Sequence, residues 1–226
     1  MDVKAKASLL DIHKTLQAHF GALKWWPARH PFEVVVGAIL TQNTAWKNVE
    51  LAIENLRQAN SLDPQTLANI VTEDLEQIIR PAGYFRQKAE RLKLLAQSLV
   101  TAYQGCVETL CSGSLEEARS RLLQFKGIGP ETADSILLYA AKRPSFVIDA
   151  YTRRIFERLG MISGSETYTE LRTYFMRELP HQEKLFNAYH AELVQLAKLY
   201  CLKRQPNCIR CPLVDMCDYG QTLTCG

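Results

Sequence analysis

The sequence has no long apolar run: nothing approaches the about 18 uninterrupted apolar residues that a membrane-crossing helix needs, so no membrane partner is expected. The N-terminus, Met1-Asp2-Val3-Lys4, lacks the charged-then-apolar order of a secretory signal, and the expectation is a soluble, intracellular, cytoplasmic protein. Strand-like alternation is also missing, as are a repeat of fixed period and a low-complexity linker. The charge is nearly balanced. A net +3 is too small to establish a nucleic-acid partner, so any such claim has to rest on where the basic residues cluster. A disulfide framework is absent too, because seven cysteines is an odd number and four of them crowd between Cys201 and Cys217.

What is present is helical. With 47% apolar residues in 226, the chain can bury a core as one compact unit or two small lobes. Leu9, Ile12, Leu16 and Phe20 recur at three- and four-residue steps and share one helix face. An apolar helix is predicted from about Phe32 to Leu40, followed by a stripe of Val49, Ala52, Ile53 and Leu56. Asp63-Pro64 reads as an N-cap followed by proline at the first helical position, and Thr72 as the cap of a helix holding Leu75, Ile78 and Ile79. Gly83 breaks the chain before Ala89, Leu92, Leu95, Ala96 and Leu99. Ser114 with Glu117, and Thr167 with Glu170, form capping boxes. The fold class is all-α, with about ten helices in two helical lobes.

The spacing Cys201-x6-Cys208-x2-Cys211-x5-Cys217 gathers four soft ligands within 17 residues, with Pro212 stiffening the turn. Such a set holds metal. Zinc sites of this type usually come as two Cys-x2-Cys knuckles and this segment has one, whereas a [4Fe–4S] cluster accepts wider, unequal spacing. Lys203, Arg204 and Arg210 stand in the same loop, as solvated charge or as contacts to a phosphate backbone. Cys106, Cys111 and Cys225 fall outside the pattern and receive no role.

In Leu123-Gln124-Phe125-Lys126-Gly127-Ile128-Gly129-Pro130-Glu131, two glycines separate a helix that ends from one that begins. Gly127 and Gly129 permit backbone conformations closed to other residues and let N–H groups approach an anion at the new helix's positive end, although Gly-x-Gly between helices also serves as a plain turn. Asp149 follows the apolar run Phe146-Val147-Ile148 and opens a helix. An Asp there is an N-cap, and a carboxylate so held stays ionised and able to stabilise a sugar cation or orient water. All three tryptophans lie in the first 46 residues, Trp25-Trp26 before the apolar helix and Trp46 after it, around Thr41-Gln42-Asn43-Thr44. At least one is expected in the core. As a group they have the makings of a pocket in which a flipped base stacks on rings while amides fill the gap it leaves. A desolvated cation over a tryptophan face gains about 2 kcal/mol, which suits an alkylated purine.

The order Leu40-Thr41-Gln42-Asn43-Thr44, Gly83-Tyr84, Lys126-Gly127-Ile128-Gly129, Asp149 and then the four cysteines resembles the endonuclease III branch of the helix-hairpin-helix DNA glycosylases, over nearly the whole chain. The resemblance implies a six-helix barrel lobe at residues 25–139, with the helix-hairpin-helix at about 115–139. It implies a discontinuous iron–sulfur lobe from residues 1–24 and 140–226, and double-stranded DNA with damaged bases bound in the cleft between lobes by a nucleoid-associated monomer. Gln42 would fill the space of the flipped nucleotide, Tyr84 would wedge the opposite strand, and Asp149 would be the catalytic carboxylate. Cys201, Cys208, Cys211 and Cys217 would hold the [4Fe–4S] cluster.

One departure matters. The endonuclease III type has a nucleophilic lysine two residues after the second hairpin glycine, where this sequence has Glu131. A carboxylate cannot form a Schiff base, so lyase chemistry through that position is ruled out and water becomes the nucleophile. Trp25-Trp26-Pro27, Arg80-Pro81-x-Gly83 and Gly127-Ile128-Gly129-x-Glu131 resemble more closely the bacterial 3-methyladenine DNA glycosylase III type, in which Trp25 and Trp46 would sandwich the base. That type lacks the cysteine cluster present here. The expectation is a monofunctional glycosylase for alkylated purines such as 3-methyladenine. Its rivals are a glycosylase/lyase for oxidised pyrimidines, with a lysine supplied from elsewhere, and a lesion-binding protein without catalysis.

Overall fold

The computed structural model describes residues 7–23, 25–26 and 28–224; Pro27 and Cys225 lie outside them. Every regular element among the described residues is helical, and the residues divide into two compact units, 26–143 and 1–25 with 144–226.

The first helix, α1 (Leu9–Phe20), belongs to the discontinuous unit and buries Leu9, Ile12, His13 and Leu16. Its start carries a capping box that the sequence reading missed, with Asp11 rather than Glu or Gln at the third position. The 26–143 unit then builds around α2 (Pro31–Leu40), buried from Phe32 to Leu40 as an all-apolar helix should be. It continues through α3 (Trp46–Gln58), α4 (Pro64–Asn69) and α5 (Thr72–Ile78). Asp63 caps α4 as predicted, accepting a bond from Thr66 N–H at 2.8 Å. Thr72 does not cap α5. The N-cap is Val71, and the Thr72 hydroxyl instead accepts from Lys93 Nζ at 3.1 Å, a partner 21 residues away.

A 3-10 turn, Arg80–Ala82, ends at Gly83 (φ +67°), and α6 (Phe85–Tyr103) runs along the unit with α4 and α5 against it. After the single turn α7 (Val107–Leu110), α8 (Leu115–Leu123) begins at the Ser114–Glu117 capping box. Next comes α9 (Pro130–Ser135), which passes directly into one buried π-helical turn, Ile136–Ala140. Arg119 and the fully buried Asp134 tie α8 to α9 through two bonds of 2.9 and 3.1 Å.

In the discontinuous unit, α10 (Ala150–Arg158), α11 (Tyr168–Glu178) and α12 (Glu183–Leu199) enclose Phe146, Phe156, Phe175, Phe186 and Tyr189, all fully buried. Phe146 and Phe175 stack with centroids 4.4 Å apart. Two side-chain bonds fasten α1 to α12: Tyr189 O–H donates to Leu9 O at 2.9 Å, and His13 Nδ1 meets buried Glu192 Oε2 at 2.8 Å. Two 3-10 turns, Cys208–Arg210 and Val214–Met216, carry the cysteine loop to α13 (Asp218–Thr224).

Candidate functional site

Asp149 is the N-cap of α10, set there by the buried extended run Phe146–Ile148. Its two oxygens are used differently. Oδ1 accepts from Thr152 N–H at 2.7 Å and from Thr152 O–H at 2.9 Å. Oδ2 lies 3.5 Å from His190 Nε2, on α12. Burial pushes the carboxyl pKa up, but the His190 ring and the Thr152 donors outweigh it and hold the group below its ordinary value. The side chain is 15% exposed, so the carboxylate is mostly enclosed but retains some contact with solvent. Trp25 joins the same group, its half-buried ring meeting His190 edge-on at 5.9 Å.

The other two tryptophans sit together in the 26–143 unit. Trp26 stacks on Tyr139 of the π turn at 5.0 Å and meets Trp46 edge-on at 5.3 Å, all three within an aromatic cluster. It also closes over Gly37 of α2, where a Cβ would come within 3.2 Å of the ring. Trp46 remains half-buried, with its indole N–H donating to Glu50 at 2.8 Å. Tyr139 carries no motif, and only the stacking reveals it.

Gln42 follows α2 and is bonded through every polar atom of its side-chain amide. Its Nε2 donates to Gly127 O at 2.9 Å and to Thr132 Oγ1 at 3.0 Å, and its Oε1 accepts from Arg91 Nη1 at 2.7 Å. The loop after α2 is thereby stitched to the glycine hairpin. Arg91, which carries no motif, lies across Gly127: a Cβ there would collide with its Nε. Gly127 has φ +84°, so both backbone and space demand glycine. Gly129 departs from expectation. Its φ of −89° is open to any residue and a Cβ would meet nothing within 4 Å, so neither backbone conformation nor packing within the chain requires the glycine. Lys126 is exposed and paired with Glu90 on α6 at 2.8 Å. Glu131 is exposed in the first turn of α9.

Asn43 (φ +53°) and Tyr84 (φ +47°) are both exposed non-glycine residues in the left-handed region, a conformation that asparagine adopts readily but that costs tyrosine roughly 1–2 kcal/mol. Tyr84, 66% exposed, is a large aromatic held out into solvent on that strained backbone.

The cysteine loop is gripped by α10. Arg154 Nε donates to Cys201 O at 2.9 Å, and Arg158 Nη1 to Leu202 O at 2.8 Å and to Cys201 Sγ at 3.2 Å. Burial, and then the nearness of the other cysteines, raises the thiols of Cys208, Cys211 and Cys217, Cys211 to about 11. Those three thiols resist ionisation until a cation shares their charge, and with Cys201 half-buried in the same loop the set has the donor chemistry of a metal site. Among the described residues no three Cys, His, Asp or Glu side chains converge on a single-ion geometry. Lys203, Arg204 and Arg210 project from this loop into solvent.

A hairpin between α8 and α9 with an acid capping a later helix defines a class. The model of the HhH-GPD superfamily base excision DNA repair proteins matches residues 36–181, and the chain belongs to that superfamily as a base excision repair DNA glycosylase. It is 44% identical over 208 residues to a putative DNA repair glycosylase of Methanocaldococcus jannaschii, covering 91% of this chain and 94% of that one. It is 32% identical to endonuclease III of Thermotoga maritima, over 87% of this chain and 89% of the other. The crystal structure of the H. pylori 3-methyladenine DNA glycosylase MagIII bound to 1,N6-ethenoadenine superposes with a TM-score of 0.74 at 28% identity, over 85% of this chain and 98% of that one. None of the helices is long and apolar enough to cross a membrane among the described residues.

Proposed function

We propose that this glycosylase is monofunctional and removes alkylated purines such as 3-methyladenine from duplex DNA. The observation that carries the reading is Asp149: an ionised carboxylate with one oxygen anchored by Thr152 and the other 3.5 Å from His190, whose ring meets Trp25 edge-on. As the bond from C1′ to an already cationic base lengthens, Asp149 stabilises the developing sugar cation. It then takes a proton from the water that attacks C1′, while the base leaves neutral without strong general-acid help. Trp25, Trp26 and Trp46 are the rings offered to the flipped base. Gln42 and Asn43 enter the vacated space, Tyr84 wedges the opposite strand, and the backbone at Gly127 and Gly129 with Lys126 grips phosphate. Lys203, Arg204 and Arg210 add phosphate contacts beside the cysteine loop. Glu131 at the lyase position supports water as the nucleophile.

Cys201, Cys208, Cys211 and Cys217 are the residues that would hold a [4Fe–4S] cluster, which when bound cross-links the loop that α10 grips. Iron and acid-labile sulfide, each at about four per chain, would support that assignment, and zinc alone would sink it.

The test of function is chromatography of bases released from methylated duplex DNA, with Asp149→Asn beside the wild type. Release of 3-methyladenine by the wild type alone is expected. The similarity to endonuclease III favours one second reading, a glycosylase/lyase for oxidised pyrimidines. Borohydride trapping on abasic DNA separates the two, since only a lyase forms a reducible imine.

A further inference from the structure

Lys88 belongs to no motif, yet it is among the most deeply buried side chains of the molecule, 1% exposed on the inner face of α6. A lysine so placed costs several kcal/mol unless its ammonium finds partners. It has two. Nζ donates to Leu40 O at 2.8 Å and to Ala82 O at 2.8 Å. Leu40 is the last residue of α2 and Ala82 the last of the 3-10 turn. Carbonyls at helix ends are those the helix itself leaves without partners, and both ends carry partial negative charge, so one ammonium serves two helix C-termini.

The residues just beyond those two carbonyls give the arrangement its meaning. Two and three residues past Leu40 stand Gln42 and Asn43; two residues past Ala82 stands Tyr84. Both segments turn through left-handed residues, Asn43 on one side and Gly83 with Tyr84 on the other. At Tyr84, which has a bulky side chain, that conformation is strained and persists only where the surroundings over-determine the backbone. Arg91, one turn further along α6, bonds the Gln42 side chain, so α6 holds the first loop at two points. Burial, aided by Arg91, brings the amine down to about 8, yet a neutral amine keeps two N–H donors, so both carbonyls stay bonded on either side of that pH.

We propose that Lys88 is the positioning residue that fixes the Gln42–Asn43 loop and the Gly83–Tyr84 loop at one spacing, so that the two enter the duplex as a single rigid device rather than independently. This rests on the reading of Gln42 and Tyr84 as inserting residues. The amine does not touch DNA; it acts through the backbone of both loops.

The test is a double-mutant cycle. A duplex carries a stable abasic analogue with 2-aminopurine opposite, whose fluorescence rises when insertion unstacks it, and affinity for undamaged duplex is measured alongside. With Lys88 present, Gln42→Ala and Tyr84→Ala each lower the insertion signal, and their effects are coupled by about fivefold. In Lys88→Met the cycle is expected to become additive, while affinity for undamaged duplex stays within about twofold of wild type and Lys88→Arg restores part of the coupling. Undiminished coupling in Lys88→Met overturns the proposal. If Gln42→Ala and Tyr84→Ala leave the signal unchanged in wild type, the insertion reading itself falls, an outcome distinct from the first. Should Lys88→Met not fold, the shorter Lys88→Gln takes its place, and full coupling there is equally fatal.

Discussion

Replacing Asp149 by Asn keeps the shape of the cap on α10 and removes the charge. Asn caps helices as well as Asp does, so stability should change by under about 1 kcal/mol, while base release should fall by roughly 10²–10⁴-fold. Equal single-turnover rates for the two proteins would sink the catalytic assignment. Because Asp149 is held below its ordinary value, its ionised form is the one the fold favours. That contribution to stability is complete above the unfolded carboxylate value of about 4 and is lost only as pH falls through the still lower folded one. A pH profile between 5 and 8 should therefore show no acid limb belonging to Asp149; one that vanished in Asp149→Asn would refute this. The hairpin glycines give a paired comparison. Gly127→Ala meets both a left-handed backbone and the Arg91 side chain, so a loss of about 2 kcal/mol or more is expected in chemical unfolding. Gly129→Ala should unfold within about 0.5 kcal/mol of wild type and yet bind duplex DNA more weakly. Unweakened binding would remove the phosphate role of Gly129. That distinction was not legible in the sequence, where two glycines of one motif look alike and only φ separates them.

At the scale of elements, α10 joins Asp149 at its start to the cysteine loop at its end, through Arg154 and Arg158 spaced one turn apart. Arg158→Met deletes donors to Cys201 Sγ, Leu202 O and Lys203 O. Amide exchange at residues 201–204 should quicken by about tenfold, corresponding to one or two lost bonds. Unchanged exchange would mean the loop is ordered by other contacts. Helices α1, α3 and α6 were readable because a three-to-four-residue stripe repeats several times within each, whereas α12 was not assigned from its sequence. The single turn α7, the 3-10 turns and the π turn were not, since each is shorter than the period that would reveal it. Thr72 shows a second limit: a hydroxyl before an apolar stripe reads as a cap until a lysine 21 residues on claims it.

For the molecule as a whole, His13 and Glu192 meet across 179 residues of sequence, and no local periodicity can disclose such a partner. The same holds for the group of Trp25, His190 and Asp149: the acid and the ring were identifiable from motif order, and the histidine only from α12's packing. Affinity for DNA should weaken steeply with salt. Removing any one of Lys203, Arg204 or Arg210 should flatten the log–log slope by about 1 if that residue meets a phosphate, and leave it unchanged if it does not. If Gln42 is the residue that enters the duplex, its three bonds to Gly127, Thr132 and Arg91 have to be given up before its side chain can do so. At about 1 kcal/mol net apiece, releasing that side chain sets a toll near a hundredfold, which a weakly stacked, damaged pair can repay and a sound pair cannot. On that reading selectivity would begin before any base reaches Asp149, and Thr132→Val, which removes one of the three partners, should lengthen the enzyme's residence on undamaged duplex; an unchanged residence would sink the idea.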